Sequence, residues 1–273
     1  MRESYTPKLE RFECGSLAYW TDATLRQAGV VVAFSERSGG VSKPPFESLN
    51  FAGHVGDDLA AVDENRSIFL DALDIGDLRE RLTMGRSAQA DGIAIVGEAE
   101  VGSGAFVREG RPAVDGVDCL ITSLRRVPLL QSYADCVPIV LVAPGPAVAF
   151  VHAGWRGALA SLPGKAVGRL TQAATCDPAE IRAYVGAHIR DCHYEVDEQL
   201  MSQFVNTFGT FARAESGGLD LDAVVSASLK RAGVTRCNIA RLGMCTAETT
   251  DRFFSHRAEG GLTGRHAALV CIL

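Results

Sequence analysis

The chain of 273 residues contains no block of lysine or arginine, and its formal net charge is -6. It therefore lacks the electrostatic footprint that nucleic acid or an anionic membrane would require. No apolar run reaches the length of a membrane span, and the first residues, MRESYTPKLERFECG, are charged where a signal peptide carries an apolar stretch of about 7–15 residues. These absences lead to the expectation of a cytoplasmic protein whose partners are small molecules. No repeat and no low-complexity linker is visible, which favours a single domain over residues 1–273 with long functional loops. The eight cysteines, at 14, 119, 136, 176, 192, 237, 245 and 271, form no CxxC pair and no regular framework. In a reducing compartment most of them are expected to be buried thiols.

What is present is ample material for a core, since 47% of the residues are hydrophobic. An apolar strand at Val30 to Phe34 leads into a loop rich in Gly, Pro and Ser. Asp57 or Asp58 can then cap a helix through Leu73, with Leu59, Val62, Ile68, Phe69 and Leu73 among its apolar residues. Gly92 to Val96 and Val117 to Thr122 read as buried strands. PIVLVA and AVAFVH flank Pro144-Gly145-Pro146, a turn signal that predicts a hairpin. ALASLPGKAVGRLTQAA reads as helical with Pro163-Gly164 interrupting it, and IRAYVGAHI as a strand. Helices are expected over about Glu198 to Phe211 and from Asp220 to a stop at Gly233, with strands near CNIARLG and at AALVCIL. Hairpins mixed with helices indicate an α+β fold, not a doubly wound parallel sheet.

Folding the hairpin about Gly145 brings Cys136 and His152 to its open end, close enough for a shared metal or a thiol–imidazole contact. Which face they occupy stays open, because moving the turn centre by half a residue changes the pairing. Asp135 either orients a ligand from behind or hydrogen-bonds the glycine turn. After His152, Ala153-Gly154-Trp155-Arg156-Gly157 allows close backbone approach to a ligand, and the helix that follows can offer N–H groups to an anion. Arg156 is a candidate phosphate or carboxylate clamp, the alternative being a solvated arginine. Trp155 reads as core packing or as a stacking platform for a base.

The stretches SERSGGVSKPPFESLN, HVGDD, ENR, DCLIT, ADCVPIVL, HAGWRG, YEV, CT, FFSHR and TGR, in that order, resemble the YfiH-like family, also called the multicopper polyphenol oxidase or laccase-domain family. Its members include zinc-dependent purine nucleoside phosphorylases. The resemblance covers nearly the whole chain. It implies an αββα four-layer sandwich with mixed sheets, and zinc held by the cysteine of ADC, the histidine of HAGWRG and an earlier histidine in a Gln-Val-His-Gly motif. The first two match Cys136 and His152. At the third, the chain reads Gln89-Ala90-Asp91-Gly92, so Asp91 is the candidate ligand, and a carboxylate can bind zinc. His54, His188, His193, His256 and His266 are distant in sequence, and none is assigned as a replacement.

The resemblance further implies that phosphate attacks the anomeric carbon of adenosine, guanosine or inosine to give free base and ribose 1-phosphate, and that some members deaminate adenosine. Arg37, beside Gly39-Gly40, and Arg156 are candidate phosphate holders, and Asn50 a partner for ribose or phosphate. Pairing of Arg37 with Glu36 or Glu47, and an Asx-turn at Asn50, are the competing structural readings. Arg257 and Arg265 belong to a glycine-rich turn that could also serve an anion pocket. Two rival activities remain: an amide hydrolase with Cys136 as nucleophile and His152 as base, and a relative that binds nucleoside without turnover. Copper oxidation of phenols is disfavoured, because six histidines without a His-x-His pair cannot furnish several copper sites.

Overall fold

The structure is a computed structural model that describes residues 5–87 and 90–273; Gln89 of the Gln89-Ala90-Asp91-Gly92 stretch lies outside the described residues. The chain begins with β1 (Glu10–Cys14), β2 (Leu17–Thr21), a short α1 (Ala23–Gln27) capped by Asp22, and β3 (Val30–Ser35). After a long loop, α2 (Leu59–Ala72) starts at Asp58, whose carboxylate accepts the N–H of Ala60. Then come β4 (Thr83–Arg86), β5 (Ile93–Ile95), β6 (Val114–Asp115), β7 (Cys119–Thr122) and β8 (Leu129–Tyr133). The predicted hairpin is β9 (Val137–Ala143) with β10 (Ala147–Ala153), followed by α3 (Trp155–Leu159) and α4 (Leu162–Ala174). β11 (Arg182–Val185), α5 (Glu198–Phe208), α6 (Leu221–Arg231), β12 (Ile239–Arg241) and β13 (His266–Ile272) follow.

Among the described residues the strands form two mixed sheets, one ordered β1-β2-β3-β13-β8-β4-β6 and the other β12-β11-β9-β10-β7-β5. Side chains alternate across a strand, so each sheet has two faces to bury. On the hairpin, Val137, Ile139, Leu141, Ala149 and Val151 pack with Leu162, Phe204 and Val224 of α4, α5 and α6. Val140, Val142, Val148 and Phe150 point the other way and meet Val32, Phe34, Leu129 and Val270 of the first sheet. The outer face of that sheet, through Val31 and Leu269, packs on Phe69 and Leu70 of α2. Helices, sheet, sheet and helix thus stack as the expected αββα sandwich. α2 also organises the Gly/Pro/Ser loop: Asn65 bonds to Val41, Ser42, Ser48 and Asn50, and the buried Arg66 donates to the carbonyls of Phe51, Gly104 and Ala105.

Several local expectations are revised. Pro163-Gly164 does not interrupt a helix but lies in the first turn of α4, where the missing proline N–H costs nothing; the break falls at Ser161, which has φ 56°. The 198–211 helix stops at Phe208, because Gly209 has φ 116° and a separate 3₁₀ turn follows. The strand at IRAYVGAHI ends at Val185. β1 and β8 carry no strong sequence signal: β1 is a mostly exposed edge strand, and β8 is short. Only Cys119, Cys245 and Cys271 are buried, so the expectation of mostly buried thiols fails; Cys14, Cys192 and Cys237 are exposed. No helix among the described residues is long and apolar enough to cross a membrane.

Phe150, fully buried between the sheets, is the natural probe of this packing. Phe150→Ala is expected to cost about 3–5 kcal/mol, seen as a lower urea midpoint with little change in slope.

Candidate active site

The register of the hairpin settles the open question of face. Ala143 pairs with Ala147 and Pro138 with His152, so the same register sets Cys136 opposite Gly154. Opposed residues share a face, which puts Cys136 diagonal to His152 on the side turned toward the first sheet. A Cβ on Gly154 would lie 3.2 Å from the Cys136 sulfur, so glycine there leaves room for the thiol. Cys136 is close enough to His152 for its charge to act on the imidazole. Tyr133 closes the inner side, its ring edge-on to His152 at a centroid distance of 5.2 Å.

Behind His152 stands Asp118, at the entrance to β7. Its carboxylate lies 2.9 Å from His152 Nδ1, while its carbonyl accepts the His152 N–H at 2.7 Å. The same carboxylate accepts the N–H of Ala90 at 2.9 Å and the hydroxyl of Ser87. With Nδ1 held by Asp118, Nε2 is the nitrogen left for chemistry. The Asp118 side chain is 1% exposed and that of His152 12%. Burial opposes the imidazolium, but the charge at Cys136 and the Asp118 carboxylate outweigh it and raise His152 from 6.5 to about 10. Burial opposes the Asp118 carboxylate in turn, yet hydrogen bonds from His152, Ala90 and Ser87 hold it below its ordinary range. Asp118 was missed in the sequence, although it opens the DCLIT stretch; a lone aspartate before a buried strand is indistinguishable from a turn residue until β7 and β10 pair.

Asp135 does neither of the two things expected of it. At φ 82° it turns its carboxylate toward the C-terminal segment, accepting from Thr246 at 2.7 Å, Ser255 at 2.8 Å and the N–H of Arg257 at 2.7 Å. The carboxylate that orients the histidine is Asp118.

Arg37 is engaged in holding its loop, donating to the carbonyls of Thr250 and Glu47 and to Glu259 at 2.9 Å, and it lies over Phe254. Its carboxylate partner is thus Glu259, not Glu36 or Glu47. Asn50, fully buried, forms the Asx-turn to Ala52. Its amide also donates to Asp57, and its oxygen accepts the N–H of Arg265 at 2.9 Å. All of its hydrogen-bonding capacity is spent on the protein, so its contribution to the site is to place Arg265.

Two further groups act on the thiol electrostatically, one cation and one hydroxyl. Arg265 and the hydroxyl of Tyr194 lie within electrostatic reach of both Cys136 and Asp135, and Tyr194 also senses Arg156 and Arg257. Arg156 is exposed and stacks on Trp155 at 4.0 Å, and Trp155 packs against the core beneath α3. α3 has only five residues, so its N-terminus is a weak anion site. Burial, with the charge at Cys136, pushes Tyr194 up to about 12, so it remains a hydroxyl donor.

Asp91 is not part of this group. Its carboxylate pairs with Lys165 of α4 at 2.5 Å, on the helix side of the second sheet, and both line a surface depression of about 430 Å³ with Arg169 and Gln172. The alternation of β5, in which Ile93 faces the helices, points Asp91 the same way. Among the described residues, the donor atoms of Asp91, Cys136 and His152 do not gather within 4.8 Å of one another. His188 and His266 are buried elsewhere, and His193 lies beside Cys192 and Cys245.

A two-sheet α+β scaffold thus carries a Cys–His–Asp line at the mouth of a central hairpin. Residues 31–273 match the family described as multi-copper polyphenol oxidoreductase laccase, and the chain belongs to that family. It is 35% identical over 251 residues to purine nucleoside phosphorylase YlmD of Geobacillus stearothermophilus, covering 89% of this chain and 90% of that protein. It is 32% identical over 246 residues to adenosine deaminase RL5 of an unknown prokaryotic organism, covering 86% and 91%. The crystal structure of YlmD from Geobacillus stearothermophilus is similar with a TM-score of 0.87 at 32% identity, over 97% of this chain and 99% of that one. That of Bacillus licheniformis YfiH gives 0.88 at 29% identity, over the same shares.

Replacing Asp118 by Asn removes the charge behind the imidazole. In metal-free protein, NMR titration of His152 is expected to show Asp118→Asn moving its pKa from about 10 back toward 6.5. Because the folded-state pKa is raised, the stabilisation from His152 is complete below about 6.5 and is lost as pH rises toward 10. The stabilisation from Asp118, whose pKa is lowered, is present above the ordinary carboxylate range near 3.8 and is lost as pH falls below it.

Proposed function

We propose that the protein is a purine nucleoside phosphorylase that converts adenosine, guanosine or inosine and phosphate to free base and ribose 1-phosphate. The observation that carries this reading is the half-buried Cys136–His152–Asp118 line with Arg265 and the Tyr194 hydroxyl beside it, and Arg156 and Arg257 within electrostatic reach of Tyr194. A proton donor beneath several cations suits a reaction in which an anion attacks and a base departs. The names of several relatives agree with it.

In this reading the arginines and Tyr194 hold hydrogen phosphate against the ribose. A phosphate oxygen forms the bond to the anomeric carbon as the bond to the purine nitrogen breaks. His152, an imidazolium at neutral pH, gives the proton at Nε2 to the departing base, and Asp118 stabilises and orients the ring. The proton lost by hydrogen phosphate returns to His152, so the cycle balances. Arg37 and Asn50 act indirectly, by holding the loop over residues 37–52 and the backbone of Arg265.

Zinc, when bound, would polarise an oxygen and lower the pKa of water. Cys136 and His152 suit it in chemistry, but a catalytic zinc takes three protein ligands, and the third donor, Asp91, is held by Lys165. As arranged, the three do not fit one ion, and no step above passes through it. Because Asp91 lies on the helix side of the second sheet, Lys165→Ala is expected to leave zinc affinity unchanged in competition with a chromogenic chelator. Tighter binding in the variant would return Asp91 to the ligand set.

A second reading is favoured by one feature. A cysteine beside a histidine that is itself oriented by a carboxylate is also the arrangement of a nucleophilic amide hydrolase. The two separate cleanly. Chromatography after incubation with adenosine and phosphate is expected to show adenine and ribose 1-phosphate only when phosphate is present, with inosine marking any deamination. His152→Ala should slow the reaction by on the order of 10²–10⁴-fold. Intact adenosine, with amide cleavage abolished by alkylation of Cys136, would establish the hydrolase instead.

A further inference from the structure

The sequence around the site holds a second group of metal donors that the reaction above leaves unused. Cys192 and His193 sit on the turn after β11, both exposed, and Cys245 lies buried on the segment leading to Thr246. The N–H of His193 closes the turn onto the carbonyl of Arg190 at 2.9 Å, which swings Cys192 and His193 over Cys245. His193 Nδ1 then lies 3.1 Å from the Cys192 sulfur and 3.7 Å from the Cys245 sulfur, and all three donor atoms are within 4.8 Å of one another.

We propose that Cys192, His193 and Cys245 form a binding site for a thiophilic divalent ion, zinc in the first instance, separate from the Cys136–His152 pair. Bond lengths of about 2.0–2.3 Å around a tetrahedral zinc place neighbouring donors roughly 3.5–3.8 Å apart, so the observed spacings need only small side-chain adjustments. Two thiolates and one imidazole are donors of matched softness, and a fourth position is left for water. The backbone N–H of Arg190 points at the Cys245 sulfur at 3.4 Å, the outer-shell support that a metal thiolate uses. A disulfide between the two cysteines would leave the imidazole nitrogen beside both sulfurs without a role, whereas one ion engages all three.

The ion would act as a brace. Tyr194 follows His193, and Thr246, which follows Cys245, bonds to Asp135 next to Cys136. Clamping these two segments together fixes one wall of the active site. This inference does not depend on the phosphorylase reading, and its test involves no nucleoside.

The experiment uses full-length Cys136→Ser protein, reduced and stripped of metal, titrated with Co²⁺ and then with Zn²⁺. The expected result is one equivalent of tetrahedral cobalt with thiolate-to-metal charge-transfer absorption, displaced by Zn²⁺, together with a higher Tm in Zn²⁺. Adding Cys192→Ser or His193→Ala, both at exposed positions whose loss leaves the fold intact, should weaken Co²⁺ binding by on the order of a hundredfold. The same variants should abolish the Zn²⁺-dependent rise in Tm. Absence of thiolate–cobalt absorption in the Cys136→Ser protein overturns the proposal, as does absorption that survives unchanged in both added variants. So does a reduced protein silent to Co²⁺ that forms a Cys192–Cys245 disulfide in air.

Discussion

The contact between Asp118 and His152 is the constraint on which the rest of the site depends. One buried carboxylate binds the imidazole, the hydroxyl of Ser87 and the N–H of Ala90, while its own carbonyl takes the N–H of His152. It thereby joins β7, β10 and the connection from β4 to β5 at a single point. A buried carboxylate is tolerable only when nearly all its lone pairs are used, and removing one partner from such a pair costs about 3–5 kcal/mol. The cost of disrupting the contact protects the geometry. His152 keeps one tautomer and one orientation, and its free nitrogen stays beside the Cys136 thiol.

A second buried carboxylate performs the same service for the other wall. Asp135, next to Cys136 in sequence, reaches away from it to Thr246, Ser255 and the N–H of Arg257. The C-terminal segment is thus fastened against the open end of the hairpin, bringing Arg257 and Arg265 from more than a hundred residues away toward Cys136. Asn50 completes the arrangement by accepting the N–H of Arg265. In the proposed reaction, phosphate recognition would draw on cations set by tertiary contacts, since a five-residue α3 has little dipole to offer.

The two sets of sulfur and imidazole donors differ in how they are built. Cys136 and His152 occupy the rigid end of a hairpin and are positioned by strand register. Cys192, His193 and Cys245 lie on loops, where a bound ion would itself supply the missing rigidity. Asp91, in contrast, is drawn to Lys165 because β5 turns it toward α4, where a lysine stands within reach.

The core and the hairpin were legible in the sequence because they rest on local rules. The alternation of PIVLVA and AVAFVH, the Pro-Gly-Pro turn, the aspartate caps at Asp58 and Asp220 and the glycine near the end of α6 each follow from nearest-neighbour stereochemistry. Cys136 and His152 were found by the same means, since the turn that joins them lies between them in sequence. By itself the sequence determined the α+β class, the hairpin and this pair. The face they share, the role of Asp118, the approach of Arg257 and Arg265 to the hairpin, the commitment of Arg37, Asn50 and Asp135 to other partners, and the meeting of Cys192 with Cys245 were decided only by tertiary structure. The physical reason is range: each depends on contacts between segments far apart in sequence, and a polar residue's role is set by whichever donor or acceptor the fold brings to it.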